Sequence, residues 1–173
     1  MNLKKNKIGV LGGSFDPAHK GHLTISKEAA KRFKLKKIIW AITKKNPFKK
    51  KSSQNLTARI SACKKIIKKI KFIEVKFYEN KIKSNKTINL INYLTKNKKN
   101  EIYFLMGADN LVGFHRWHKW KQISEKCNII VFDRYGYKKK SLNSKTYKTL
   151  KKEKLKFIIF NKVNISSSQL RKI

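Results

Sequence analysis

The sequence predicts a three-layer α/β domain with a mainly parallel sheet, and three observations carry that prediction. Short apolar runs recur at 8–11, 37–42, 72–77, 101–106, 128–133 and 157–160, each of strand length. Between several of them lie segments whose apolar residues step by three and four, the spacing of a helix with one buried face. The first two runs flank such a segment, which makes a βαβ unit, and that crossover is right-handed in nearly all cases and demands parallel strands. With 173 residues, 40% of them hydrophobic, the chain fits one domain over 1–173 with a real core.

Charge bounds the partners. Lys+Arg 45 against Asp+Glu 9 gives a formal net charge of +36. Taken by itself that suggests a nucleic-acid binder. The basic residues, however, are 40 lysines spread over nearly the whole length and five arginines: Arg32, Arg59, Arg116, Arg134 and Arg171. A solvated lysine surface explains this better than a dedicated nucleic-acid site, and it would still attract anionic nucleotides in a salt-dependent way. Against a lysine background, a retained arginine points to a need for the planar guanidinium fork, above all at Arg134 and Arg171.

Cys63 and Cys127 are far apart, in no metal or redox spacing, and read as buried reduced thiols. No run has secretory-leader or membrane-span length, so the expectation is a soluble cytoplasmic protein without a membrane partner.

The first run, Ile8 to Leu11, ends in Gly12-Gly13-Ser14-Phe15-Asp16-Pro17-Ala18-His19-Lys20-Gly21-His22. Two glycines let the backbone turn and approach a ligand, and Pro17 fixes the turn. If a helix begins near Gly21, His19 and His22 lie across its N-terminus, where free N–H groups and the macrodipole favour an anion. This reads as a phosphate site; two histidines that only cap the helix are the plainer alternative. A helix over 22–33 and a strand over 37–42 follow, then the loop Thr43 to Lys49 at the carboxyl edge of the sheet.

Residues 56–70 form a clear amphipathic helix, in which Arg59 either makes a salt bridge or reaches the site, the structural role being preferred. A strand at 72–77 precedes a helix over 87–94 that Thr87 can cap. The strand 101–106 ends in Gly107-Ala108-Asp109-Asn110. A carboxylate there suits ribose hydroxyls, with a helix N-cap as the plain alternative.

Two tryptophans follow in Phe114-His115-Arg116-Trp117-His118-Lys119-Trp120, a candidate stacking platform for a flat heterocycle with His118 beside the pocket and Trp120 in the core. After the strand 128–133, residues 137–154 are lysine- and serine-rich and carry no readable chemistry. The closing stretch Ser166-Ser167-Ser168-Gln169-Leu170-Arg171 offers hydroxyls at a helix start and an arginine one turn inside, a second anion cradle or an ordinary serine cap.

These stretches resemble a known family. Gly-Gly-Ser-Phe-Asp-Pro-x-His-x-Gly-His is similar to the signature of Rossmann-like nucleotidyltransferases with an H-x-G-H motif, and within them to the nicotinate-nucleotide adenylyltransferases. The pantetheine-phosphate branch usually has Thr at the position of His19. The resemblance implies transfer of AMP from ATP to nicotinate mononucleotide, giving deamido-NAD and pyrophosphate, a step in NAD biosynthesis. It implies phosphate contacts from His19, His22, Ser167, Ser168 and Arg171, with ATP also held by Gly12, Gly13, Ser14, Phe15, Gly107, Asp109 and Arg134. Nicotinate mononucleotide would meet Thr87, Trp117 and Lys49, and Mg²⁺ would bridge the ATP phosphates without a protein metal cage; nearby ligands for zinc at His19 and His22 are missing.

The chain departs from the family pattern at Phe48 (usually His), at Lys86, Asn89 and Leu90 around Thr87, at Tyr135 (often Pro) and at Ser168 (usually Thr). Usual members also continue for another helix beyond the position of Arg171. Two rivals stay open. Another acceptor, nicotinamide mononucleotide or pantetheine phosphate, would keep the phosphate chemistry; a basic nucleic-acid-binding module would replace it. Oligomeric state is left open.

Overall fold

The structure, a computed structural model, describes residues 5–45 and 54–159. A first βαβ unit is made of β1 (Asn6–Gly13), α1 (Lys20–Phe33) and β2 (Lys37–Ile42). The chain continues through α2 (Leu56–Ile67), β3 (Ile73–Lys76), α3 (Glu79–Ile82), α4 (Thr87–Thr95) and β4 (Asn100–Gly107). After α5 (Ala108–Gly113), a 3-10 turn (Phe114–Arg116) and α6 (Trp120–Lys126) comes β5 (Asn128–Phe132); α7 (Lys138–Leu142) and α8 (Lys145–Thr149) then lead to β6 (Leu155–Ile158).

The six strands pair in parallel in the order β3-β2-β1-β4-β5-β6. The first half winds one way from β1 and the second half winds the other, so the strand order reverses between β1 and β4. That reversal opens a crevice at the carboxyl edge, where open α/β sheets bind ligands.

Alternation along each central strand feeds a core on both faces, as a parallel sheet requires. Val10, Ile39, Phe104, Met106 and Val131 face α4, α5 and α6. Leu11, Ile38, Trp40, Leu105 and Ile130 face α1 and α2. The three expected layers are therefore present, and no helix among the described residues is long and apolar enough to cross a membrane.

Three local expectations need correction. The tight turn is not made by Gly12 and Gly13, which end β1; it falls at Phe15, whose φ of 49° is left-handed. A Cβ at Gly12 would meet Phe104 at an ordinary 3.5 Å, so its missing side chain leaves room on the cavity side and relieves no clash.

Thr87 does not cap α4: Lys86 holds the cap position, no side-chain cap bond is made, and Thr87 is the first helical residue. Residues 137–154 are not loose. They fold into α7 and α8 against α5, with Ser141 and Thr146 fully buried. Local hydroxyl bonds, such as Ser144 Oγ donating to Ser141 O at 2.6 Å, satisfy polar groups whose composition imitates a loop. α3 and α6 are absent from the sequence reading, being too short for helical periodicity to register.

Both thiols are buried as expected, and burial pushes each up to about 12. At pH 8 the reactive thiolate is therefore scarce as well as inaccessible. Native protein is expected to resist iodoacetamide at both cysteines while urea-unfolded protein is alkylated twice, read by mass spectrometry. Because each thiol titrates higher in the fold than in the unfolded chain, their contribution to stability is complete below the ordinary value of 9.0 and declines as pH rises toward about 12.

Candidate active site

At the crevice lies a cavity of about 510 Å³. Its wall includes every candidate residue among those described: Gly12, Gly13, Ser14, Phe15, His19 and His22 from the β1–α1 turn, Thr87 from α4, Gly107 and Asp109 after β4, Trp117, and Arg134 after β5. Lys49, Ser167, Ser168 and Arg171 lie outside the described residues.

The two histidines interlock at the start of α1. His19 is the N-cap and its Nδ1 accepts from Gly21 N at 3.0 Å, while His22 Nδ1 accepts from His19 N at 3.2 Å. The plain capping reading is thus correct as far as it goes. It also has a chemical consequence, because a neutral imidazole whose Nδ1 accepts must carry its hydrogen on Nε2. In each ring the donor is therefore Nε2–H.

The His22 ring is fixed further by packing. Its centroid is 3.9 Å from that of His19 and 4.6 Å from that of Phe15, and Phe15 stacks on Trp40 at 5.1 Å. Trp40 Nε1 donates to Ser26 Oγ at 2.8 Å, and Ser26 Oγ donates to His22 O at 2.8 Å. A buried indole on β2 therefore anchors the turn of α1 that presents His22.

On the opposite side of the strand reversal, Asp109 sits in the first turn of α5, whose cap is Gly107 and not the aspartate. Arg134 Nη1 donates to Asp109 Oδ2 at 2.6 Å. Asp109 Oδ1 is buried and has no hydrogen-bond partner among the described residues. A Cβ at residue 107 would lie 2.5 Å from that oxygen, so glycine there makes room for the carboxylate. Arg134 also donates its backbone N–H to Asp133 Oδ1 at 2.7 Å.

Trp117 lines the cavity with one edge against Phe104 at 6.1 Å, and Phe114 lies 5.1 Å away. Trp120, expected in the core, is only partly buried and packs on Phe114. His118 does flank the pocket.

Sequence reasoning passed over Tyr78, Glu79 and Arg116, which also line the cavity. Glu79 accepts from Thr43 Oγ1 and from Lys44 N, tying α3 to the loop after β2. The available signal was scarcity: of nine acidic residues, Glu79, Asp109 and Asp133 meet at this one cavity. Arg59, read as a salt bridge or a site residue, has no acidic partner among the described residues and instead bonds backbone carbonyls.

Comparison with known proteins agrees with this arrangement. The cytidylyltransferase-like family model matches residues 10–173. The chain is 67% identical over 173 residues to a protein of Pelagibacter ubique (strain HTCC1062) named "Probable nicotinate-nucleotide adenylyltransferase", covering all of this chain and 96% of that protein. It is 38% identical over 131 residues to a protein of the same name in Agrobacterium fabrum, covering 75% of this chain and 70% of that one. In fold it is similar to the Plasmodium falciparum nicotinic acid mononucleotide adenylyltransferase complexed with NaAD, with a TM-score of 0.80 at 22% identity, over 96% of this chain and 83% of that one. With the H-x-G-H turn and Asp109 facing one crevice, and with identity of this extent over the full chain, the protein belongs to the cytidylyltransferase-like family and, within it, to the nicotinate-nucleotide adenylyltransferases.

Proposed function

We propose that this chain joins ATP to nicotinate mononucleotide, forming deamido-NAD and releasing pyrophosphate. The observation that carries the reading is the two-sided cavity: paired imidazole donors at a helix N-terminus on one side, and on the other a carboxylate with one buried oxygen that has no partner among the described residues. The first suits phosphate and the second suits a ribose diol. Relatives with the matching name support the choice of acceptor.

In this reading a phosphate oxygen of the mononucleotide attacks the α-phosphorus of ATP. A new P–O bond forms, the bond to the β-phosphate bridging oxygen breaks, and the electron pair leaves on pyrophosphate. The nucleophile is already an anion, so no side chain need remove a proton. The chain supplies alignment and donors to the charge that builds on the transferring phosphoryl oxygens.

His22 Nε2–H is the transition-state donor in this scheme, and His19 Nε2–H supports the phosphates. Gly12, Gly13, Ser14 and Phe15 line the phosphate side; Gly107, Asp109 and Arg134 hold the adenosine side. Trp117 and Thr87 receive the pyridine portion. Lys49, Ser167, Ser168 and Arg171 complete the phosphate contacts in the same proposal, on residues outside those described.

Mg²⁺ belongs to this scheme as part of the ATP substrate, where it neutralises phosphate charge. Glu79, Asp109 and Asp133 at the cavity each accept at least one hydrogen bond from Thr43, Lys44 or Arg134, so in this scheme the ion would take its oxygen ligands chiefly from phosphate and water.

The test is pyrophosphate release from ATP with nicotinate mononucleotide, nicotinamide mononucleotide and pantetheine phosphate in turn. The highest kcat/KM is expected with nicotinate mononucleotide, with deamido-NAD identified by mass. Absence of turnover with both pyridine mononucleotides would overturn the reading.

A further inference from the structure

Arg59 on α2 is 2% exposed, yet its guanidinium meets no carboxylate among the described residues. A buried cation ordinarily needs an ionic partner. Here four backbone carbonyls take that place. Nη1 donates to Ser14 O at 2.6 Å and Thr43 O at 2.8 Å, Nη2 to Lys44 O at 3.1 Å, and Nε to Gln54 O at 3.2 Å. One side chain thus joins the turn after β1, the loop after β2 and the entry to α2.

These bonds orient two peptide planes. In a trans peptide the N–H points opposite to the C=O. Thr43 O faces Arg59, and in the same plane Lys44 N–H donates to Glu79 on the other side at 3.2 Å. Ser14 O likewise faces Arg59, which turns Phe15 N–H away from α2. Ser14 and Phe15 both line the cavity, and Phe15 holds a left-handed φ of 49° that a bulky side chain adopts only when its surroundings impose it. The Arg59 guanidinium thus lies directly behind this turn.

We infer that Arg59 is a positioning residue for ATP: it imposes the left-handed turn at Phe15 and aims that turn's N–H groups toward the phosphates. The inference rests on the adenylyl-transfer reading for its substrate. Lysine at this position keeps the charge and loses the fork, since an ammonium cannot span carbonyls from three segments.

Arg59→Lys is therefore expected to raise KM for ATP about tenfold and lower kcat about tenfold, the scale of lost charge-assisted hydrogen bonds. KM for nicotinate mononucleotide should stay within twofold. A variant with a lowered Tm but wild-type kinetic constants would overturn the inference, because a purely structural role predicts that result. Should the variant fail to fold, the wild-type protein labelled with ¹⁵N-arginine gives the second test. The Arg59 Nε–H signal, assigned by Lys replacement of the other four arginines, should shift on adding ATP and stay in place with nicotinate mononucleotide. An Arg59 signal unmoved at saturating ATP would overturn the proposal. The ATP arm needs no turnover, so a wild-type protein that binds ATP yet releases no pyrophosphate would sink the reaction and leave Arg59's role to be decided by the shift.

Discussion

Replacing His22 with alanine is expected to lower kcat by about a hundredfold or more, the scale seen when a donor to a developing oxyanion is removed. The reason is the tautomer. Because His22 Nδ1 accepts from the His19 backbone, the neutral ring carries its hydrogen on Nε2 and donates from there, with the ring packed against Phe15 and His19. The same bond complicates the variant, since alanine also deletes one arm of the capping box, worth roughly 0.5–2 kcal/mol of stability. His22→Asn separates the two effects: its carboxamide oxygen can accept from His19 N, and nothing remains near Nε2. Asparagine is expected to restore Tm to near the wild-type value while kcat stays as low as in alanine. A His22→Asn enzyme with near-normal turnover would show that the ring serves the cap and not the phosphoryl group.

The turn was legible because its spacing combines a strand end, a proline and two imidazoles at one helix start, and each has a local physical meaning. Which residue takes the left-handed conformation was not legible. Glycine is the usual occupant, yet Phe15 is held there while its ring stacks on Trp40 and its turn is bonded from behind by Arg59, both long-range effects. The sheet was read from its apolar runs to within a few residues, because buried parallel strands are nearly continuous in hydrophobicity. Helices of four to seven residues such as α3, α6 and α8 escaped, since one turn or two cannot establish a period. In a chain of 40 lysines the minority types carried the information: Arg134 and Asp109 were picked out individually and meet as an ion pair, whereas Glu79 was passed over for lack of any neighbouring motif.

Asp109→Asn is expected to raise KM for ATP by about ten- to a hundredfold, matching the 1.5–3 kcal/mol typical of hydrogen bonds to a charged group. The carboxylate is prepared for this work by its surroundings. Arg134 takes Oδ2, the missing side chain at Gly107 lets Oδ1 pack where a Cβ would stand, and Oδ1 stays buried without a protein partner among the described residues. A ribose diol brings two O–H donors to such an oxygen, and asparagine would present an amide that donates in place of one acceptor. The contact is the same in the bound substrate and in the transition state, so kcat should change less than threefold. Removing the partner tests the pairing directly. Wild-type enzyme should lose affinity for 2′,3′-dideoxy-ATP by a factor similar to the mutation, and Asp109→Asn should hardly distinguish that analogue from ATP, since each change deletes the same interaction. If both proteins instead lose equally on going from ATP to the dideoxy analogue, the two effects are independent, and Asp109 binds something other than the ribose.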